Sequence, residues 1–456
     1  MSKDACNKTD ETVTSTQQLN NSTTQQLNNS TTQQLNNSTT QQLNNSTTQQ
    51  LKNSTTQQLN NSTTQQLNNS TTQQLNNSTT QQLNNSTIDS DTSRRITSLR
   101  FLLIVLVVFI HNCYTPQLIQ KIMDNGGIAP VFVENSFGHW VKIFITFGIS
   151  RCAVPLFFMF AAFLQAKKND SYLVLLKKRA KSLLLPYVLW MSLLAFFYGG
   201  LKLIVARIAP QFLSQPENTC LTWTVLDWVH KVFGYKPKPD GSGFDLPEFA
   251  VQFWFVRDLL ILVVVSPVIK VLIKKFPAGF FALAFAIFII PVRMYFVETT
   301  AFFFYIVGLY WGMYDVPLFH KIDRIHWKEI VPLFVVSVIF AFTLGGGDHT
   351  TSYNFMVIFS CVIVIKLSAV IVRKEKLYSL CSYLAGFSFF LFAIHDPLVN
   401  GYTSKLWIWF FPMRNTFWSL CQYFIPTFLT IVIGTGIGIV IKKICPPLFR
   451  ALNGGR

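Results

Sequence analysis

Charged residues are scarce in this chain, and acidic residues are especially few. Only 13% of the 456 residues are charged, and 21 Asp and Glu stand against 38 Lys and Arg, for a formal net charge of +17. Half of the residues are hydrophobic, and 43 are Phe, a composition far from that of soluble domains. Because apolar runs of spanning length recur after residue 95, the sequence predicts an all-α polytopic membrane protein.

Several familiar signals are missing. The first residues, MSKDACNKTDETVTS, lack the apolar stretch of a cleavable signal peptide. The eight cysteines form neither a CxxC pair nor a cluster with metal-ligand spacing, so we expect no metal site and no redox site. Cys113 and Cys220 fall in loops that we place outside the cell, and whether they form a disulfide stays open. The basic residues cluster in short loops, which indicates membrane topology and not nucleic-acid binding.

Residues 16–87 repeat the octapeptide STTQQLNN, with one variation at Lys52. One Leu in eight cannot form an apolar helical stripe, because eight is not close to a multiple of 3.6. Asn, Gln, Ser and Thr bury too little apolar surface to offset the entropy of ordering. We therefore predict a disordered low-complexity tail over residues 1–95 and a membrane domain over 96–456. A β-solenoid or an aggregation-prone polar tract is the alternative for the tail.

The membrane domain is predicted to contain about ten transmembrane helices. The loops that follow the even-numbered spans are basic, as is the segment before the first span. The positive-inside rule then places both termini in the cytosol of a multi-pass protein of the plasma (inner) membrane. The ten spans are centred near Leu106, Phe157, Leu193, Leu262, Ala284, Val307, Val335, Val362, Phe390 and Ile433.

Two ionisable residues interrupt the first apolar run, SLRFLLIVLVVFIHN. Arg100 and His111 are separated by 11 residues, or about 16 Å along a helix. Ionisable groups inside a span are costly and are by default interpreted as functional. A cation near one membrane face and an imidazole deep in the bilayer indicate a reaction or a proton relay.

A second set of polar residues gathers toward the predicted outer side. Each member has a structural alternative: an adjacent Arg–Asp pair compensates its own burial, an Arg snorkels to the headgroups, and a His near the end of the ninth span is satisfied at the interface. The basic loop 167–181 either only sets topology or also binds an anion. The set comprises Arg151, Trp254, Arg257, Asp258, Glu298, His395 and Asp396.

Six segments, in order, resemble the membrane acyltransferase-3 family over about residues 96–440. The first helix has the family's Arg, ten residues, then His. The other segments are similar to the family's second helix, its basic loop, its Trp-Phe-x-Arg-Asp helix, its small-residue helix and its late His-x-Pro element. In this sequence they read SLRFLLIVLVVFIH, RCAVPLFFMFAAFL, YLVLLKKRAKSLLLPYVLW, FWFVRDLLILVVVSP, YIVGLYWGMY and FSFFLFAIHDPL.

The resemblance implies transfer of an acyl group, usually acetyl, from cytosolic acyl-CoA to a hydroxyl of an envelope glycan or a lipid-linked sugar. It implies no permanently bound cofactor. Carried over, His111 is the catalytic histidine and Arg100 its essential partner. Lys178, Arg179 and Lys181 would lie near the phosphates of CoA. The sequence departs from the family at Ala161 and Ala162, where Ser-Gly is usual, which bears on helix packing or on the acyl tunnel.

Histidine can act on this chemistry in two ways. It can deprotonate the acceptor hydroxyl, or it can carry the acyl group itself, and the sequence leaves both routes open. A proton-coupled secondary transporter is the alternative function, because intramembrane histidines and arginines also serve transport. No internal repeat links the two halves of the membrane domain, which argues against a transporter.

Overall fold

A computed structural model describes residues 33–34, 37–38, 88–112, 137–168, 170–200, 204, 207–208, 223–234, 247, 250–290, 292, 294–344, 350–411 and 415–455. The chain forms two compact units, Met1–Thr87 and Ile88–Arg456. In the first unit the described residues form one short parallel pair of strands, β1 (Gln33–Gln34) and β2 (Asn37–Ser38). The predicted disorder of the repeat, and the question of Cys113 and Cys220, lie outside the described residues.

The second unit is helical throughout its described part. π-helical turns connect several of the helices end to end, among them His395–Val399. In chain order the α-helices are α1 (Ser90–His111), α2 (Phe137–Lys142), α3 (Ala153–Ala166), α4 (Tyr172–Arg179), α5 (Leu185–Ala195), α6 (Val225–Phe233), α7 (Trp254–Lys275), α8 (Pro277–Ile289), α9 (Thr299–Met313), α10 (Leu318–Asp323), α11 (Trp327–Thr343), α12 (Thr351–Arg373), α13 (Glu375–Ala385), α14 (Ser388–Ile394), α15 (Asn400–Phe410), α16 (Thr416–Ile444) and α17 (Pro446–Leu452).

Helix α1 begins before the predicted boundary of the membrane domain. The side chain of Asp89 accepts a hydrogen bond from the backbone N–H of Thr92 at 2.9 Å and caps the helix. An Asp at this position satisfies a donor that has no partner inside the helix. The prediction of an unstructured segment up to residue 95 is therefore wrong for its last residues, and the helical unit includes Ile88 and Asp89.

Each of the ten predicted span centres lies inside an α-helix of the second unit. Among the described residues, three continuous helices are long and apolar enough to cross a membrane: Phe137–Ala166, Thr351–Arg373 and Thr416–Ile444. A fourth candidate is the pair Glu375–Ala385 and Ser388–Ile408, bent by 55°. These helices indicate a membrane protein, whereas the count of ten spans and the cytosolic termini stay predictions.

The ninth apolar segment continues further than its sequence suggests. We expected His395 at the outer end of the ninth span. In the structure one residue, Asp396, leaves the helical region (φ −132°, ψ 140°), and the chain then continues as helix into α15. His395 thus lies within Ser388–Ile408, the second member of the bent pair, and not at the end of that segment.

Helices α3 and α9 approach closely through glycine. A Cβ atom added at Gly308 would lie 2.1 Å from the carbonyl oxygen of Met159 and 2.9 Å from the Cβ of Ala162. One added at Gly312 would lie 2.6 Å from the Cβ of Ala166. This spacing of small residues lets helix backbones pack in an apolar environment. Ala162, one of the two departures from the family pattern, is fully buried in this contact.

Two buried cations hold the short helix α10. Arg95 is 1% exposed, and its guanidinium donates to both carboxylate oxygens of Asp323, at 2.7 and 2.9 Å, and to the hydroxyl of Ser368 at 3.0 Å. Lys366 donates to the carbonyl oxygens of Asp323 and Ile325, just beyond the helix. Because a charge inside an apolar bundle must be paired, these contacts fix α10 against α1 and α12.

Arg94 and Arg95 give a matched test of this buried ion pair. Arg95→Met leaves the Asp323 carboxylate without its partner, and since that carboxylate is 36% exposed we expect a loss of about 2 kcal/mol, below the full cost of breaking a buried pair. Arg94 pairs with Glu375 on the surface, so Arg94→Met should change the Tm little. Thermal unfolding in detergent measures both. Equal Tm values for the two variants would contradict the structural role of Arg95.

Candidate functional site

The end of α1 brings His111 to the π-helical turn between α14 and α15. The imidazole rings of His111 and His395 have centroids 5.1 Å apart and meet edge to face. His111 Nδ1 lies 3.7 Å from Asp396 Oδ2. The side chains of His111 and Asp396 are about one-fifth exposed, whereas His395 is fully buried. Two imidazoles and a carboxylate thus share one site among apolar helices.

Two buried asparagines fix the position of His111. Asn400 donates to the backbone carbonyl of His111 at 2.8 Å, and its side chain also lies 3.5 Å from Asp396 Oδ1. Asn112 donates to the carbonyl of Tyr423 at 2.7 Å and accepts from the hydroxyl of Ser404 at 3.0 Å. The last turn of α1 is therefore hydrogen-bonded to both α15 and α16.

The hydrogen bond of His395 determines its tautomer. Its Nδ1 lies 2.7 Å from the carbonyl oxygen of Phe392, and because a carbonyl can only accept, Nδ1 carries the proton when the ring is neutral. The other ring nitrogen, Nε2, is buried and has no hydrogen-bond partner in the described part of the chain. His395 therefore presents an acceptor atom inside the site.

Arg151 lies on the segment between α2 and α3, and its role in acceptor binding stays a prediction. It lies on the 3₁₀ turn Ile149–Cys152, and its guanidinium is 4.9 Å from the centroid of the Phe147 ring. Thr146, in the preceding turn, bonds the hydroxyl of Tyr423 at 2.7 Å. The segment between α2 and α3 thus borders the same site.

Arg257 and Asp258 form an ion pair at the start of α7. Arg257 Nε donates to Asp258 Oδ1 at 3.0 Å, and its Nη1 donates to the carbonyl of Phe233 at 3.1 Å. Asp258 also accepts from the backbone N–H of Glu298 at 2.9 Å. These contacts join α7 to α6 and to the start of α9. Their described partners differ from those of His111, so a role in acceptor binding stays a prediction.

The segment that begins α7 still reaches the His111 site. Gln252 lies two residues before Trp254 and donates to the backbone carbonyl of Asp396. The Trp254 ring itself packs against Phe158, with centroids 6.3 Å apart. Trp254 is therefore positioned by α3, and the link to the π-helical turn passes through Gln252, which sequence reasoning did not single out.

The predicted donor residues differ in their surroundings. Lys178 is exposed and pairs with Asp170 at 2.5 Å, and Lys181 is exposed. Arg179 is half-buried and lies within electrostatic range of the hydroxyl of Tyr305. Tyr305 donates to Gln165, which donates to Ser266. This chain of hydrogen bonds forms a polar patch inside the bundle, with Arg179 beside it.

Arg100 is half-buried on α1. It makes no hydrogen bond and no ion pair with any other described residue. A guanidinium without an anionic partner inside a bundle is costly, so this cation fits a ligand that brings its own negative charge. The role of Arg100 in the reaction stays a prediction.

Sequence reasoning gave no role to three residues of the His111 site: Asp396 and Asn112, which it noted only as polar neighbours, and Asn400, which it did not single out. Asp396 and Asn400 are separated by four residues, the spacing at which helical side chains meet. Asn112 directly follows His111, and two adjacent polar residues at the end of an apolar run favour a functional interpretation of that position. None of these features reveals that the end of α1 meets α15, because that contact is tertiary.

The comparisons with known proteins decide the family. A family model described as an acyltransferase domain, that of the acyltransferase-3 family, matches residues 94–436. The chain belongs to this family. Succinoglycan biosynthesis protein ExoH of Rhizobium meliloti (strain 1021) is 24% identical over 385 residues, covering 81% of this chain and 94% of that protein. No solved structure matches the chain. The resemblance read from the six sequence segments is therefore confirmed.

Two other features bear on which ligands the described residues could bind. No group of three or more His, Cys, Asp or Glu side chains within the described residues is arranged to hold a metal ion. A groove of about 700 Å³ between α11 and α12 is lined mainly by apolar side chains such as Leu333, Phe340 and Phe355. None of the residues of the His111 site lines this groove, so the polar site and the groove are separate features.

Asp396 is predicted to orient His111 and stabilise its charged form. Asp396→Asn keeps the shape but removes the negative charge beside Nδ1, so we expect kcat for acyl transfer to fall about a hundredfold while KM for both substrates stays near wild type. Steady-state kinetics and Tm are measured together. Glu375→Gln is the control, since Glu375 is an exposed carboxylate whose ion pair with Arg94 lies at the surface. A raised KM with unchanged kcat, or a Tm far below that of the wild type, would contradict an orienting role.

Proposed function

We propose that this protein transfers an acyl group, with acetyl as the expected group, from acyl-CoA to a hydroxyl of a cell-envelope polysaccharide. The observation that carries the proposal is the cluster of His111, His395 and Asp396 at a helix end held by buried hydrogen bonds. Membership of the acyltransferase-3 family supports acyl transfer. The similarity to a protein named for succinoglycan biosynthesis supports a polysaccharide, or its lipid-linked precursor, as acceptor.

His111 acts as the general base in this proposal. Its Nε2 takes the proton of the acceptor hydroxyl as the oxygen attacks the thioester carbonyl of the donor. The tetrahedral intermediate then collapses, the C–S bond breaks, and the CoA sulfur takes the proton back from the imidazolium. The products are the O-acylated sugar and free CoA, and the histidine returns to its neutral form. In the alternative route the acyl group passes through His111 itself.

Asp396 and His395 support this proton transfer. The Asp396 carboxylate faces Nδ1 of His111 at 3.7 Å, where it stabilises the imidazolium that forms when Nε2 takes a proton. A distance of this size in the absence of substrate is compatible with catalysis, because catalytic hydrogen bonds often tighten only in the complex. The free Nε2 of His395 can accept a hydrogen bond from a second hydroxyl of the acceptor.

The donor is proposed to enter from the opposite end of α1. CoA carries several phosphate charges, and Lys178, Arg179 and Lys181 lie together on α4 and the following turn. Arg100, about 16 Å from His111 along the helix, would steady the donor between these cations and the catalytic site. This arrangement requires a multi-pass protein of the plasma membrane with both termini in the cytosol.

Substitution of the donor cations tests this part of the proposal. Replacing Lys178 and Arg179 together with Gln should raise the KM for acyl-CoA about tenfold, because charge-assisted contacts to phosphate are lost. It should also weaken the salt dependence of binding. Lys274 and Lys275 at the end of α7, replaced with Gln, control for the change in net charge. Equal affinities of the two double variants by calorimetry would reduce the basic loop to a topology signal.

His111→Ala is the decisive variant for the reaction. It should abolish acyl transfer while insertion and acyl-CoA binding stay intact, because α1 is held by the backbone carbonyl of His111 and the side chain of Asn112, and Ala is a good helix former. Loss of a general base typically costs about 10²–10⁴ in rate, whereas loss of an acyl carrier removes the reaction. The size of the defect in purified protein therefore distinguishes the two routes.

Arg100→Ala is the companion variant, and it should mainly impair the use of acyl-CoA. Transfer is followed as O-acylated polysaccharide by mass spectrometry, with free CoA measured in parallel. Near-wild-type activity of His111→Ala, at normal expression, would defeat the assignment of this histidine. Absence of any acyl-CoA turnover by the wild-type protein would favour the transporter alternative.

A further inference from the structure

Helices α15 and α16 form an antiparallel hairpin next to the His111 site. Two pairs fix its register: the hydroxyls of Thr403 and Thr430 are 2.9 Å apart, and the rings of Phe411 and Trp418 have centroids 5.7 Å apart. Midway between these pairs, Trp407 lies level with residues 422–426 of α16. This level holds polar atoms that have no hydrogen-bond partner among the described residues.

Gln422 is fully buried, yet neither its amide nitrogen nor its amide oxygen has a hydrogen-bond partner within the described part of the chain. The indole N–H of Trp407 is likewise buried and unpartnered there. Pro426 has no N–H to donate to the backbone carbonyl of Gln422. Because buried polar groups in folded proteins are almost always hydrogen-bonded, several unmet donors and acceptors at one level indicate a ligand that supplies both.

Aromatic rings continue from this level toward the connection between α15 and α16. Trp407 stacks on Phe411 with centroids 4.4 Å apart and an angle of 30° between planes. Phe411 stacks in turn on Trp418, with an angle of 13°. Phe411 is 40% exposed. A sugar ring has an apolar face of C–H groups that suits a flat aromatic surface, and hydroxyls that suit an amide and an indole N–H.

These residues adjoin the candidate catalytic site directly. Ser404 of α15 bonds the side chain of Asn112, which bonds the carbonyl of Tyr423 of α16. Trp407 lies three residues beyond Ser404, or about one helical turn, and Gln422 precedes Tyr423. A ligand bound between Trp407 and Gln422 therefore lies about one turn beyond the residue that follows His111.

We propose that the α15–α16 hairpin forms a binding subsite for a sugar ring of the acceptor, with Trp407 as its stacking surface and Gln422 as its hydrogen-bonding group. The inference rests on the proposed function in taking the acceptor to be a carbohydrate. One hydroxyl of the bound ring donates a hydrogen bond to the amide oxygen of Gln422. Oxygen atoms of the ring accept hydrogen bonds from the amide nitrogen of Gln422 and from the indole N–H of Trp407. The stacked rings of Phe411 and Trp418 extend this surface for neighbouring sugars of the chain.

Three variants test the subsite with succinoglycan stripped of its acyl groups as the acceptor probe. Gln422→Leu and Trp407→Leu should each raise the acceptor KM about tenfold, while kcat and the KM for acetyl-CoA stay near wild type, as expected when uniform binding is lost. Trp407→Phe keeps a stacking ring but removes the N–H, so it should raise the KM only about threefold. Calorimetry of the same probe measures binding without turnover.

Thr435→Val is the matched control. Thr435 lies on the same helix, is also buried, and its hydroxyl also has no partner among the described residues, but it is about 20 Å from Gln422 along the axis. It should leave the acceptor KM unchanged. Unchanged KM and affinity in Gln422→Leu and Trp407→Leu would overturn the subsite, as would a wild-type protein that does not bind the probe.

The subsite and the proposed function fail in different ways. A wild-type protein that binds the probe, and loses that binding in Gln422→Leu, supports the subsite even if no acyl group is transferred. A wild-type protein that transfers acyl groups, with equal acceptor KM in all variants, supports the function and removes the subsite.

Discussion

The hydrogen bonds of Asn112 and Asn400 hold the end of α1 against α15 and α16, and the candidate site depends on this joint. Inside an apolar bundle a polar group cannot form hydrogen bonds with water, so its partners must come from the protein. Asn400 binds the carbonyl of His111, and Asn112 binds both neighbouring helices. The imidazole is therefore positioned by backbone contacts, and its own ring atoms remain available for chemistry. Such support of a reactive group by surrounding hydrogen bonds is what precise catalysis requires.

The sequence predicted the helices and the two residues of α1 because both signals are local. Apolar runs of spanning length and ionisable residues within them are visible without any tertiary information. The pairing of Asp396 with His111 could not be predicted, because the two residues are nearly three hundred positions apart in the chain and meet only through tertiary packing. The continuation of the ninth segment into α15 was not predicted for a related reason: Asp-Pro followed by polar residues is a local signal for the end of a helix. In this structure the packing of α15 on α16 overrides it.

Arg94 and Arg95 show that the charge of a segment predicts its topology but not the surroundings of each residue. Both contribute to the basic segment from which the topology was predicted, and the positive-inside rule treats them alike. The structure separates them, because Arg94 reaches Glu375 at the surface while Arg95 is buried with Asp323 and Ser368. Helical periodicity in so short a polar stretch carries too little information to distinguish the two. The same holds for Lys178 and Arg179, of which the first is exposed and the second half-buried.

The contact between α3 and α9 has a consequence for how such a sequence can vary. With Gly308 against the backbone of Met159 and Gly312 against Ala166, no side chain larger than hydrogen fits at either glycine. The positions on α3 that face these glycines are restricted as well, since a larger residue at Ala162 would clash with Gly308. No substitution on the other helix compensates for a larger residue here, because Gly308 faces the backbone of Met159 and is itself already the smallest residue. Two segments that are distant in the chain are thus held to the same limit on side-chain size.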